Sequence, residues 1–354
     1  MKINAIIINY FTSDYLLPVL EILQNESEIS KIIIANNGDS TDLAGLTNHY
    51  QKAHVIRNKT NIGFGAAVNK ACQSEYADYY LLLNPDTLPD KGFVKALLKA
   101  AIENDALITG PRFFLDRDKI FRFPPALGFS WSIRANIHAA EQLHVEEALL
   151  MNNWIFQHER FWEKSSPFSE TFISGACMLI KNDEDFFRNG KFFDERFFLY
   201  YEDTDVCLRA IAENKLVMVA PEAEVVHFWD KSPDHNKSTY ALESEKLFSE
   251  KYYGKLPPYP KFARQENHDN STVLDMGTRY APPEFKLQGK NTSKKYYLEI
   301  SQNHWFVQFA QAIVEGGNFV FPQKTWDGLK PGLYFTRQRT VSNKILKIWK
   351  WRKL

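Results

Sequence analysis

Cysteine is scarce in this chain: three in 354 residues, Cys72, Cys177 and Cys207, widely separated and odd in number. That usage excludes a disulfide framework and a thiolate metal cluster, and it suits a reducing compartment. Neither sign of charge is in surplus, with 43 Lys and Arg against 43 Asp and Glu. Without a basic field, nucleic acid is not an expected partner. No apolar run approaches the length needed to cross a bilayer. The opening MKINAIIINYF carries one Lys and a short apolar stretch, but Asn4 and Asn9 interrupt it and no small-residue cleavage site follows. It reads as a buried first strand rather than an export signal, and a cytoplasmic setting is expected.

What is present is the texture of a folded protein, 44% hydrophobic and 24% charged. Up to about residue 110, strand-like and helix-like stretches alternate: NAIIINYF, SDYLLPVLEILQNE, KIIIANN, DSTDLAGLTNHYQKA, HVIRN, GFGAAVNKACQSE, YYLLLNPD, GFVKALLKAAIEND and ALITGPRFF. Near-continuous apolar strands separated by helices predict an α/β fold with a mostly parallel sheet and helices on both faces. Ligands of such sheets bind beyond the carboxyl ends of the strands. Strand-end polar residues therefore matter most: Asn9, Asn36, Asn37, Asn58, and the turn Asn84 to Asp86.

The texture changes along the chain. Residues 1–255 read as the principal domain, 256–284 as a Pro- and Asn-rich linker, and 285–340 as a small β-rich accessory module. LKPGLYFTR within it is like the last hairpin of a fibronectin-III-like sandwich, or of a plain β extension. Residues 341–354 form a basic aromatic tail in which Ile345, Leu346, Ile348 and Trp349 share one helical arc opposite Lys344, Lys347 and Lys350. A helix of that kind suits either an anionic membrane surface or a solvated tail.

Three features carry candidate chemistry. LLLNPDT ends an apolar strand with Asn84 and Asp86, where a carboxylate can take Mg²⁺ or Mn²⁺; a plain β-turn is the alternative. DERFFLYYEDTDVCLRA sets Glu202, Asp203 and Asp205 at a helix start. There Asp203 can serve as a helix cap, and Asp205 can pair with Arg209 four residues on. PEAEVVHFWD places His227 at a strand end, a position equally open to a structural histidine.

In order, AIIINYF, IIIANNGDSTD, NIGFGAAVN, LLLNPDT, FISGACMLIKND, FFDERFFLYYEDTDVCLRA and VAPEAEVVH resemble the motifs of glycosyltransferase family 2, of the GT-A fold, and its bacterial rhamnosyltransferase-like branch. The resemblance implies that Asp86 binds the metal, with Asn84 in place of the first Asp of a D-x-D motif, and that His227 completes the metal or diphosphate site. It implies Asp203 as catalytic base with Glu202 beside it. Asn9 and Asn36 would contact the base of the nucleotide; Asn61, Gly63 and Asn69 would flank the nucleotide, and Gly175 would lie near donor sugar and acceptor. Ala35 stands where relatives carry Asp, which leaves the base open. The implied reaction is inverting transfer from a dTDP- or UDP-sugar, with Mn²⁺ or Mg²⁺, to a lipid-linked glycan or growing surface polysaccharide such as O-antigen or capsule. L-Rhamnose is the sugar expected; galactofuranose, glucose, galactose and N-acetylhexosamine stay open. So does a non-catalytic sugar-nucleotide binder. A dehydrogenase is set aside because Val68 breaks the glycine fingerprint. A sugar-nucleotide pyrophosphorylase is set aside because no Gly- and Arg-rich loop follows the first strand.

Overall fold

The computed structural model describes the chain except residues 39–42, 44, 46–47, 126–146, 188–189, 229–235, 255–272, 289–293, 303–305 and 307–308. Seven of the fifteen residues of the helix expected over 39–53, and the first part of the linker, lie outside the described residues; residues 48–52 are not helical and Ala53 begins a strand. The chain divides into two compact units. One comprises Met1–Arg112, Ala126–Trp131 and Lys164–Pro258; the other comprises Phe113–Pro125, Ser132–Glu163 and Tyr259–Leu354.

The first unit is built on strands β1 (Ile3–Asn9), β2 (Ile29–Asn37), β3 (Ala53–Asn58), β4 (Tyr79–Leu83), β5 (Thr87–Pro89), β6 (Ala106–Phe114), β7 (Phe168–Ser169), β8 (Cys177–Lys181) and β9 (Leu216–His227). Its sheet runs β3-β2-β1-β4-β8-β6-β9-β5, with β7 added beside β9. The half made of β3, β2, β1 and β4 is parallel. From β8 onward the recorded pairings are antiparallel. The isoleucine-rich β1 and β2 are buried nearly end to end, as expected of central strands covered on both faces. Helices α1 (Leu16–Asn25), α2 (Phe64–Ser74) and α3 (Phe93–Glu103) pack on the sheet.

Strand order places the site. From β1 the chain steps to β2 and β3 on one side, then returns to β4 on the other. The crevice at the carboxyl ends of β1 and β4 is therefore the switch point, where α/β sheets bind ligands. Asn9 ends β1 and is in register with Asn36; Asn84 follows β4.

The second unit includes α4 (Glu147–Glu163) and strands β10 (Val273–Arg279), β11 (Glu284–Lys286), β12 (Lys295–Ser301), β13 (Ala310–Glu315), β14 (Asn318–Val320), β15 (Gly332–Thr340) and β16 (Ile345–Lys353). Five of them form a sheet in the order β10-β16-β15-β12-β13, while β11 and β14 make a separate ribbon. An aromatic core containing Phe285, Phe321, Trp326, Trp349 and Trp351 fills one face.

The tail corrects an expectation. The segment expected to form an amphipathic helix is strand β16, hairpinned to β15 and also paired with β10. Its alternation buries Trp349 and Trp351 to 1% and 0% exposure. Those rings belong to the core, so they are not a membrane-facing surface. Among the described residues, no helix is long and apolar enough to cross a membrane.

Candidate active site

Helix α5 (Glu202–Ala212) brings the acidic cluster into place. Its entry is unusual: Tyr200 and Tyr201 both adopt the left-handed conformation, at φ 69° and 70°, which bulky residues rarely do. The turn is held by packing, with Tyr201 and Phe197 buried against Phe248 of α6 (Lys237–Tyr253). It delivers Asp203 so that Oδ2 accepts the N–H of Gly175 at 3.1 Å and Oδ1 accepts that of Thr204 at 2.8 Å. Asp203 thus bonds its own helix start, as capping anticipated, but within the first turn rather than at the cap.

Gly175 is part of a three-way junction. The next residue, Ala176, accepts the Asn84 N–H through its carbonyl at 2.8 Å. The turn after β4 and the start of α5 are therefore both bonded to the 175–176 backbone. A Cβ on Gly175 would lie 3.6 Å from both Asp203 Oδ2 and the Phe64 ring, so the missing side chain keeps a space between them open.

Asp86 and His227 are joined by strand pairing. Thr87 is in register with His227, and Phe228 donates its N–H to the Asp86 carbonyl at 2.9 Å. Their side chains are nearly buried, with His227 Nε2 3.5 Å from Asp86 Oδ1. Two donors bound to one divalent ion at about 2.1 Å stand about 3.0–3.4 Å apart, so the pair fits two positions around Mn²⁺ or Mg²⁺. Among the described residues no group of three or more His, Cys, Asp or Glu side chains gathers for a metal. Further ligands would have to come from a bound diphosphate or water.

Electrostatics separates the two adjacent carboxyls. Glu202 is 5% exposed, and its Oε2 has no hydrogen-bond partner. Burial, reinforced by the neighbouring Asp203 charge, pushes its pKa well above the ordinary range. Burial also raises Asp203, but two backbone N–H groups oppose that shift. Hydrogen bonds to the charged form favour ionisation. Of the coupled pair, burial and the neighbouring charge favour the protonated form at Glu202, while the two amide hydrogen bonds favour the ionised form at Asp203. Asp203 retains part of its surface open, as a group exchanging protons with a substrate must.

The remaining expected residues sort by what they touch. Asn9 donates to Asn36 Oδ1 at 3.3 Å and receives the Thr12 N–H and hydroxyl. Both asparagines are almost fully buried at the switch point. Asn61 accepts from Asn37 Nδ2 at 2.8 Å and from the Gly63 N–H at 3.0 Å. Gly63 has φ +88°, and a Cβ there would come within 2.7 Å of the Phe198 carbonyl, so glycine is required. Asn69 lies away from this cluster of asparagines. It donates to Phe193 O and Glu195 Oε1 and accepts the N–H of Phe192 and Phe193, holding the backbone that leads into the acidic segment.

Some relevant residues escape sequence reasoning. Tyr15 lies near enough to Asp86 for that carboxylate, after burial, to raise its pKa. Asp205 pairs with Arg209 as expected, and it is also gripped by Lys251 and Tyr252 of α6. Nothing in the local sequence announces partners 46 and 47 positions away.

The family model for glycosyl transferase family 2 matches residues 5–181, half of the chain. The chain is 29% identical over 249 residues to an N-acetylglucosaminyl-diphospho-decaprenol L-rhamnosyltransferase of Mycobacterium tuberculosis, covering 63% of this chain and 77% of that one. It is 26% identical to rhamnosyltransferase WbbL of Escherichia coli K12 over 64% of this chain and 83% of that one. With dTDP-rhamnosyl transferase RfbF of Shigella flexneri it shares 27% identity, over 57% of this chain and 61% of the relative. Among solved structures, GalNAc-T7 with UDP, GalNAc and Mn²⁺ aligns at TM-score 0.47 and 12% identity, covering 64% of this chain and 43% of that chain. TarS of S. aureus with UDP-GlcNAc aligns at 0.42 and 13%, covering 69% and 66%.

Proposed function

We propose, from the premise that the chain belongs to glycosyl transferase family 2, that it transfers L-rhamnose from dTDP-rhamnose to a lipid-linked glycan with inversion at the anomeric carbon. The sugar rests on the three rhamnosyltransferase relatives, and the dTDP donor on the name of one of them. A lipid diphosphate acceptor rests on the mycobacterial relative. The observation that carries the catalytic reading is the junction at Gly175, to which both the Asp203 carboxylate and the turn after β4 are bonded.

Asp203 is the general base that takes the proton of the acceptor hydroxyl as it attacks the anomeric carbon. Its raised pKa brings proton affinity closer to neutrality, while the Gly175 and Thr204 amides fix the carboxylate and keep it ionised. Glu202, protonated, adds no second negative charge beside it. Asp86 and His227 would hold Mn²⁺ or Mg²⁺, which supplies positive charge to the leaving diphosphate. The buried Asn9–Asn36 pair forms the floor at the switch point where the nucleotide would lie. Gly63 and Asn61 shape the adjoining loop, and Asn69 acts through the 192–195 backbone. The unit holding β1–β9 is assigned the catalysis, in the cytoplasm, and the C-terminal sheet an accessory role. Products such as O-antigen or capsule would follow from the acceptor.

The test is transfer from a panel of dTDP- and UDP-sugars, with Mn²⁺, to a synthetic polyprenyl-diphosphate N-acetylglucosamine. The reading expects dTDP-rhamnose to be used at least tenfold better than the others. Efficient use of a different sugar would replace the donor assignment; nucleotide binding without turnover of any donor would make the protein a binder.

A further inference from the structure

Lys251 stands near the end of α6, 48 residues beyond Asp203 in sequence, outside the segment matched by the family model. Its ammonium lies 2.9 Å from Asp194 Oδ2 and 2.5 Å from Asp205 Oδ1. Those two aspartates bracket the stretch that carries Phe197, the two left-handed tyrosines, Glu202 and Asp203. One cation therefore ties together both ends of the acidic segment. The Asp205 side chain is fully buried, so its contact with Lys251 is shielded on one side from water, while the contact with Asp194, between side chains 24% and 16% exposed, lies at the surface. Burial makes such pairs sensitive to loss of a partner, because the remaining charge stays in a poor solvent.

The same helix adds further ties. Tyr252 donates its hydroxyl to Asp205 Oδ1 at 2.7 Å, and Ser244 donates to the Leu199 carbonyl at 2.9 Å. Phe248 fills the space under Phe197 and Tyr201. Two consecutive non-glycine residues in the left-handed region persist only where their surroundings over-determine them. Here α6 supplies that restraint.

We infer that Lys251 is a positioning residue for the transfer reaction: by bridging Asp194 and Asp205 it closes the loop that holds Asp203 on the Gly175 amide. The inference rests on Asp203 as the base, and it adds that base's geometry is set from α6. Lys251 touches no reacting atom. Removing it lets the loop relax and Asp203 lose the Gly175 hydrogen bond, so its proton affinity rises.

The experiment compares the full-length parent with Lys251→Met, Lys251→Arg and Asp194→Asn, reading kcat, donor KM, the pH profile of kcat and amide hydrogen exchange at Gly175 and Thr204. Lys251→Met is expected to lower kcat about 10- to 100-fold, the scale set by misplacing a catalytic group, with donor KM within about twofold. Its acid limb should move to higher pH, and both amides should exchange faster. Lys251→Arg should recover most of the rate. Asp194→Asn, which keeps the Asp205 arm, should give a smaller shift in the same direction, and it decides the matter if Lys251→Met does not fold. A lower melting temperature with unchanged kcat, pH profile and amide exchange would mean that Lys251 only stabilises the fold. A parent with no turnover would overturn the transferase reading alone, since exchange at Gly175 and Thr204 still reports whether Lys251 holds the loop.

Discussion

The Asp203 carboxylate and the Gly175 backbone amide, 28 residues apart in sequence, are joined by a 3.1 Å hydrogen bond. The carbonyl of the next residue, Ala176, accepts the N–H of Asn84. A transferase needs its base and its diphosphate-binding turn on a common rigid element, because reacting groups must be held to within fractions of an ångström. In the proposed reading the 175–176 backbone is that element, bonded to both Asp203 and Asn84.

Replacing the base tests this most simply. Asp203→Asn keeps the shape and an acceptor oxygen for one amide, and removes the proton acceptor. Transfer should fall about 10²- to 10⁴-fold, while stabilisation by dTDP, read by thermal shift, should stay within experimental error of the parent.

Glu202 gives a pH signature. Its folded pKa is raised above the ordinary 4.5. At pH below that value both folded and unfolded chains hold the proton. As pH rises, the unfolded chain releases it while the folded protein does not, so stability is lost until the folded group ionises. Glu202→Gln removes this contribution, while the slopes due to Asp203 and to other shifted groups such as His158 remain in both proteins. In urea unfolding, the stability of the variant relative to the parent should therefore grow between pH 5 and pH 8, by about 1.4 kcal/mol for each pKa unit of displacement. A difference independent of pH would mean that Glu202 is ionised in the folded protein.

Much of this was legible in the sequence because period and punctuation agreed. The isoleucine runs gave β1 and β2, and polar strand ends gave Asn9, Asn36 and the 84–86 turn. The acidic cluster pointed to α5, although only geometry separates Asp203, held by two backbone amides, from Glu202, whose Oε2 has no hydrogen-bond partner. Three things were hidden. Tyr200 and Tyr201 have no intrinsic preference for the left-handed region, so packing against Phe248 decides their conformation. Lys251 acts through contacts 46 and 57 residues distant, beyond any local pattern. The tail pattern ILKIWKW serves a helical arc and an alternating strand equally, and pairing with β15 selects the strand.

That correction makes its own prediction. Trp351 is fully buried and stacks on Tyr334 with ring centroids 4.8 Å apart. Trp351→Ala should cost about 3–5 kcal/mol. Deleting residues 343–354 removes a strand from within the C-terminal sheet, and should give loss of cooperative unfolding of that unit in calorimetry. An unchanged melting profile would return the tail to the surface.

The proposed cation site can be probed without turnover. Asp86→Ala or His227→Ala should weaken Mn²⁺-dependent dTDP binding 10-fold or more, lowering the stabilisation by dTDP by about 1.4 kcal/mol. Equal stabilisation of parent and variants by Mn²⁺ with dTDP would remove both residues from the cation site.

Gly63→Ala tests the loop above the switch point. At φ +88° its Cβ would press on the Phe198 carbonyl, which also accepts the Phe64 N–H at 2.8 Å. The strain should cost about 1–3 kcal/mol and raise the KM for donor, with a fall in melting temperature to check it.

The most direct measurement is the rate and anomeric outcome of rhamnose transfer from dTDP-rhamnose by the parent and by Asp203→Asn. The account predicts a glycoside of configuration opposite to the donor's, formed at least 100-fold faster by the parent. A product of retained configuration, or equal rates from the two proteins, would contradict it.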